Sequence, residues 1–107
     1  MNDATPPALL YHLVPVDVWE AVGDRYAPAS LDAVGFVHLS TSGQVDIPGR
    51  ALYSGRGDMR LLVIQPDLLE AEVVFEEGDP PTAGLLFPHL YGALNRGAVI
   101  DVLPYRA

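Results

Sequence analysis

Three histidines, His12, His38 and His89, are the residues of this chain best suited to chemistry, and each lies inside an apolar run. The runs are "LLYHLV" at 9–14, "GFVHLST" at 35–41 and "LFPHLYG" at 86–92. In each, leucine follows the histidine and an aromatic stands one or two places before it. A single histidine of this kind has a plain explanation as a neutral core residue whose ring nitrogens meet backbone groups. Three of them change the balance, because every buried imidazole left without partners forfeits about 1–3 kcal/mol. A shared cleft satisfies all three at once, and it is expected to join at least His12 and His38.

Several chemistries are open to such a cleft. A metal site draws no support from spacing, since neither HxH nor HExxH occurs, and no metal ligand is assigned. A metal-assisted hydrolase built on the three histidines remains an alternative on chemistry alone. A serine hydrolase would need a GxSxG elbow, which is missing. The remaining reading is ligand binding, in which imidazoles and hydroxyls hydrogen-bond a ribose, a phosphate or another small molecule. On that reading His12, His38 and Glu76 are the candidate catalytic residues, with Glu77 an alternative acid. Ser40, Thr41, Arg60, His89 and Tyr91 are the candidate ligand-binding residues. Arg60 belongs to a group with Arg50 and Arg56, half of the six basic residues of the chain, and arginine's planar fork suits phosphate.

Charge narrows the partners. Six arginines and no lysine stand against fourteen acids, for a formal charge of −8. Such a surface repels nucleic acid phosphates at long range and argues against broad nucleic acid binding. The chain has no cysteine, hence no disulfide and no thiolate nucleophile. No apolar run approaches the roughly 18–20 residues that cross a bilayer. The start, "MNDATPPALL", has neither the basic nor the apolar region of a secretory signal. The expectation is a cytoplasmic protein with no membrane partner.

The elements that must position these residues are short. Residues 1–8 read as a flexible tail and 9–107 as one domain. "LLYHLV" reads as a strand with Leu10, His12 and Val14 on one face and Tyr11 and Leu13 on the other. Asp17 reads as the cap of a short helix closed by Gly23, and Ser30 as the cap of a turn at "SLDAVG". "FVHLS" is a strand placing Phe36, His38 and Ser40 together. Asp46 caps a short helix entered through Pro48 and running to about Tyr53. "RLLVIQ", "EVVFE", "LLFPHLYG" and "AVIDVLPY" read as further strands, with an exposed loop at "EGDPPTAG" and Asn95 supporting a turn. Five to seven strands with two or three short helices, in no regular alternation, indicate an α+β domain. Its sheet is expected to be curved, mixed and mostly antiparallel, not a parallel Rossmann sheet.

The segments "LLYHLV", "YAPASLDAVGFVHLST", "LLVIQPDLL", "VVFEEG" and "FPHLYGALNRGAVIDVLPY" resemble, in order and spacing, the DUF952 family of small bacterial proteins of unknown function. An aromatic–His on the first strand, followed by a glycine leading into "HLS", is more distantly similar to NAD-using RNA 2′-phosphotransferases and the ADP-ribosyltransferase fold. That resemblance implies an ADP-ribosyltransferase-like architecture with NAD as the candidate cofactor. His12 would then hold the ribose of NAD, and His38 with Ser40 would line the same cleft. Tyr11 stands where the phosphotransferases carry arginine, and Leu13-Val14 where they carry Gly-Thr. The implied function is binding of NAD or a related nucleotide, with ADP-ribosyl or phosphoryl transfer as the reaction. A non-catalytic small-ligand-binding module is the alternative.

Overall fold

A computed structural model describes residues 8–78 and 84–106. The tail expected at 1–8 lies outside the described residues except for Ala8, as does most of the "EGDPPTAG" loop.

The most apolar run, "MRLLVI", forms β4 (Met59–Ile64). Being apolar on both faces, it takes a central place between β1 (Leu10–Pro15) and β8 (Val99–Tyr105). Both pairings are antiparallel; His12 stands opposite Leu62, and the β4–β8 register shifts between Val63 and Ile64. Leu10 and Val14 of β1 enter the larger core with Leu62, Ile64, Leu90 and Leu94. Leu13, from the opposite face, joins Met59 and Val45 in a smaller cluster that Tyr11 and Tyr105 flank. The alternation read from the sequence thus separates two apolar layers on either side of one sheet.

A second sheet orders β3 (Val37–His38), β6 (Leu86–Tyr91) and β5 (Glu72–Glu77). Its register sets His38 opposite His89 and His89 opposite Val74. The two sheets meet at a bridge in which Tyr11 and Ser40 exchange backbone hydrogen bonds, each 2.8 Å. This bridge brings the histidine strands β1 and β3 side by side. A two-stranded pair, β2 (Arg25–Tyr26) with β7 (Leu94–Asn95), completes the strands.

Several expectations need correction. The strands form three small sheets and not one, and every strand pairing among the described residues is antiparallel, so the sheet is not mixed. The first helix, α1 (Val16–Glu20), is capped by Pro15 and ends at Ala21, not Gly23. Asp17 lies inside its first turn, where Oδ1 accepts from the Val18 amide. Likewise α2 (Ala29–Val34) begins after Pro28, and Ser30 instead donates its hydroxyl to the Phe36 carbonyl. Proline displaces the polar cap in both cases because its fixed φ sets up the helix entry. Gly35 closes α2 at a φ of 89°, the left-handed geometry that turns the chain into "FVHLS".

The segment around Pro48 does form a helix, α3 (Asp46–Tyr53). Asp46 is its first residue and not its cap, and its carboxylate accepts a 2.5 Å hydrogen bond from the Tyr105 hydroxyl. Gly49 lets α3 lie against β8, since a side chain there would run into the Tyr105 ring. Asn95 is buried and does more than support its own turn. It accepts from the Glu70 amide and donates to the Leu68 carbonyl, tying down the turn at Pro66–Leu68. Among the described residues, no helix is long and apolar enough to cross a membrane.

Candidate functional site

The strand arrangement draws all three histidines and Ser40 into the wall of one cavity of about 410 Å³. β1 supplies Tyr11, His12 and Leu13; the β3 segment supplies His38, Leu39 and Ser40; β6 supplies Phe87 and His89. Across from them α3 contributes Ile47, Pro48, Ala51, Leu52 and Tyr53. The wall is therefore apolar for the most part, with imidazoles and hydroxyls as its polar groups. Among the described residues, no Asp, Glu, Lys or Arg lines it.

His12 and His89 are held in different ways. His12 donates Nδ1–H to the His38 backbone carbonyl at 2.6 Å. Its other nitrogen, Nε2, is buried with no hydrogen-bond partner among the described residues. Burial, outweighing the carbonyl contact that favours the charged form, lowers the His12 pKa from 6.5 to about 4. The ring is thus neutral, and its Nε2 carries a lone pair.

His89 is 1% exposed and sits on a carboxylate: its Nδ1 lies 2.8 Å from Glu76 Oε2. The same oxygen accepts a hydrogen bond from the Tyr91 hydroxyl. Those two hydrogen bonds, Tyr91's first and His89's second, hold the Glu76 carboxyl below its usual range. Glu76 in turn pushes the Tyr91 hydroxyl up. An ionised carboxylate only accepts, so Nδ1 of His89 carries a hydrogen, and in the neutral ring Nε2 is then the acceptor. That Nε2, too, is buried without a partner among the described residues. Phe36 stacks on the His89 ring at 3.8 Å and 11°, and His38 meets it edge-on at 5.6 Å. Both Nε2 atoms are buried, each with under 1 Å² exposed, in residues that line the cavity.

Of the residues expected to act, His12, His38, His89 and Ser40 line the cavity. Glu76 and Tyr91 stand behind His89 and do not line it. Thr41 is set apart, its backbone amide donating to Gln44 Oε1. Arg60 is set apart too: its guanidinium donates to the Met59 carbonyl and is absent from the wall. Arg56 pairs with Asp58 at 2.5 Å. Glu77 is exposed at the end of β5. No three His, Cys, Asp or Glu side chains among the described residues are grouped to hold a metal ion. A separate hollow of about 480 Å³, bordered by the Arg25–Glu70 ion pair (2.7 Å) and Arg96, contains none of the histidines.

The family described as "Protein of unknown function (DUF952)" matches residues 13–102. The chain belongs to the DUF952 family. Its fold is shared with protein CC0527 from Caulobacter crescentus: against the crystal structure the TM-score is 0.79 at 26% identity, covering 91% of this DUF952 chain and 85% of that one. Against the solution NMR structure of CC0527 the TM-score is 0.68 at 25% identity, covering 92% and 84%. No curated protein matches this DUF952 chain.

The sequence left several wall residues unassigned. Tyr11, Phe87 and the whole α3 face were read only as structural. A signal existed in α3, where Ile47, Ala51 and Leu52 recur at helical spacing, but Pro48 and Gly49 obscured it. The Glu76–His89 pair depends on the β5–β6 register, which sequence does not display.

Proposed function

We propose that this DUF952 chain binds a small, uncharged, mostly apolar molecule that donates hydrogen bonds to the histidines. One observation carries the reading: two buried imidazole Nε2 acceptors lack partners in the wall of a largely apolar cavity with no charged side chain lining it. An unsatisfied buried acceptor costs about 1–3 kcal/mol, and two at one cavity are accounted for by a ligand that supplies donors. The volume falls at the lower end of the range usual for small-molecule pockets.

The distant likeness to ADP-ribosyltransferases suggests NAD instead. Among the described residues, the wall lacks the arginine or lysine that a pyrophosphate needs in a chain of charge −8. Phosphate-bearing ligands are therefore the weaker fit, and a neutral planar amide of the kind NAD carries at one end is the better one. Calorimetric titration with benzamide, nicotinamide, ADP-ribose and NAD separates the readings. Heat from the two amides, with no gain in affinity from added phosphates, is the expected result. Binding of ADP-ribose or NAD with both amides silent would overturn it in favour of a nucleotide site.

A further inference from the structure

We infer that this cavity takes a proton from its ligand: His89, backed by Glu76, accepts it at Nε2 from a weakly acidic O–H or N–H, as in phenols, enols and imides. The inference rests on the reading of the cavity as a site for small uncharged donors, and it adds what happens to the donor once bound.

The argument starts from the 2.8 Å contact between His89 Nδ1 and Glu76 Oε2 in a ring that is 1% exposed. A carboxylate at one imidazole nitrogen fixes the tautomer and favours positive charge on the ring. When a ligand O–H faces Nε2, the O–H bond breaks, its electron pair stays on oxygen, and an N–H bond forms at Nε2. The result is an imidazolium between two anions, Glu76 and the ligand. Tyr91 donates to the same Glu76 oxygen, which makes that carboxylate a poorer proton acceptor and leaves the proton on the imidazole. Phe36, stacked at 3.8 Å, keeps the ring from turning away.

Other titratable groups surround His89. His38 on β3 meets the ring by its edge. His12 has a neutral carbonyl at Nδ1, so it accepts a hydrogen bond but gains no counterion. Among the described residues, Tyr11 and Tyr53 are the other ionisable groups in the wall. Glu76 touches no ligand here and acts as a positioning residue through His89.

4-Nitrophenol is the probe, because its neutral and ionised forms absorb at different wavelengths. Titrated into the full chain below the pH at which it ionises in water, it is expected to bind as the phenolate. The pH of half-ionisation should fall by about 1 unit or more relative to free dye. Glu76→Gln, a change at a side chain 35% exposed, is expected to bind the dye several-fold more weakly, as the neutral phenol, and to abolish that shift. A bound dye with the phenol spectrum in the unsubstituted chain, or the same shift in Glu76→Gln, would overturn the inference while benzamide binding still upheld the neutral-ligand reading. If neither dye nor benzamide binds the folded protein, both readings fall together.

Discussion

His12 and His89 belong to one cavity wall, and each gives its Nδ1 to the protein while keeping Nε2 without a partner. They differ in what receives that Nδ1 hydrogen. His12 meets the carbonyl of His38, a dipole with no net charge. His89 meets Glu76, a full negative charge reinforced by Tyr91. Geometry at the ring is nearly the same, yet the electrostatic consequences diverge. A carbonyl orients an imidazole without compensating for its desolvation, and the His12 pKa drops to about 4. A carboxylate can compensate, so a proton arriving at His89 has a counterion waiting. The lesson is that a buried histidine's role is set by the group at its far nitrogen.

The largest expected effect tests the His12 half of the contrast. Its pKa is about 6.5 in the unfolded chain and about 4 in the fold. Between those values the unfolded state binds the additional proton, so stability falls as pH drops from about 6.5 toward 4. The full loss is roughly 3 kcal/mol, with about 2 kcal/mol of it between pH 7 and pH 5. Urea unfolding at the two pH values measures this directly. Asparagine keeps an amide near the Nδ1 position and carries no titrating group, so His12→Asn should flatten the stability profile in this window. Glu76 works lower on the scale: its depressed pKa contributes stability that is lost only below about 4.5, as pH falls through the folded value. An unchanged pH slope in His12→Asn would remove the basis for treating the two histidines differently.

A paired substitution sharpens the other half. His12→Asn and His89→Asn each delete Nε2 while leaving a hydrogen-bonding group close to where Nδ1 lies. A hydrogen bond involving a charged partner is worth about 1.5–3 kcal/mol, and a neutral one about 0.5–1.5. For 4-nitrophenol this predicts a loss of roughly 10- to 100-fold in His89→Asn and roughly 2- to 10-fold in His12→Asn. Spectroscopic titration of both variants gives the ratio. Equal losses would mean that the carboxylate behind His89 adds nothing to binding.

How much of this was legible in the sequence follows from the range of each interaction. The strand at "LLYHLV" and its two faces were legible, because alternation is a local property of the residues themselves. His12, His38, His89 and Ser40 do line one cavity, yet two Nε2 atoms there lack partners among the described residues, so the need for polar company from which the cleft was expected is not met by the rings themselves. The capping roles given to Asp17 and Ser30 were not legible, because the preceding prolines Pro15 and Pro28 already set the backbone entry. Arg60 looked like a phosphate ligand from its neighbours in sequence, yet its guanidinium turns to the carbonyl of Met59. The division into three sheets was hidden too, because the join at Tyr11 and Ser40 is made by backbone groups, which every residue type carries. The pairing of Glu76 with His89 spans thirteen positions and follows from the β5–β6 register, a long-range fact that composition cannot encode.

The smallest expected effect probes how far the contrast extends behind His89. Tyr91 is 42% exposed, and its hydroxyl donates to the Glu76 oxygen that also faces His89. Tyr91→Phe keeps the ring near Phe36 and deletes only that donor, in a place where water can replace it. The stability cost should accordingly be small, at the low end for a hydrogen bond. The electrostatic effect has a definite sign. Losing its foremost stabilising donor lets the Glu76 pKa rise toward its ordinary value, and the carboxylate becomes a better base toward His89. The ionisation of bound 4-nitrophenol should then move further downward in pH, by less than the opposite change in Glu76→Gln, because a more basic carboxylate better supports the imidazolium that takes the dye's proton. Carbon-detected NMR titration of the Glu76 carboxyl, with the dye spectrum read in parallel, follows both ends of this chain. A Glu76 titration unchanged by the loss of Tyr91 would confine the contrast between the two histidines to the carboxylate itself.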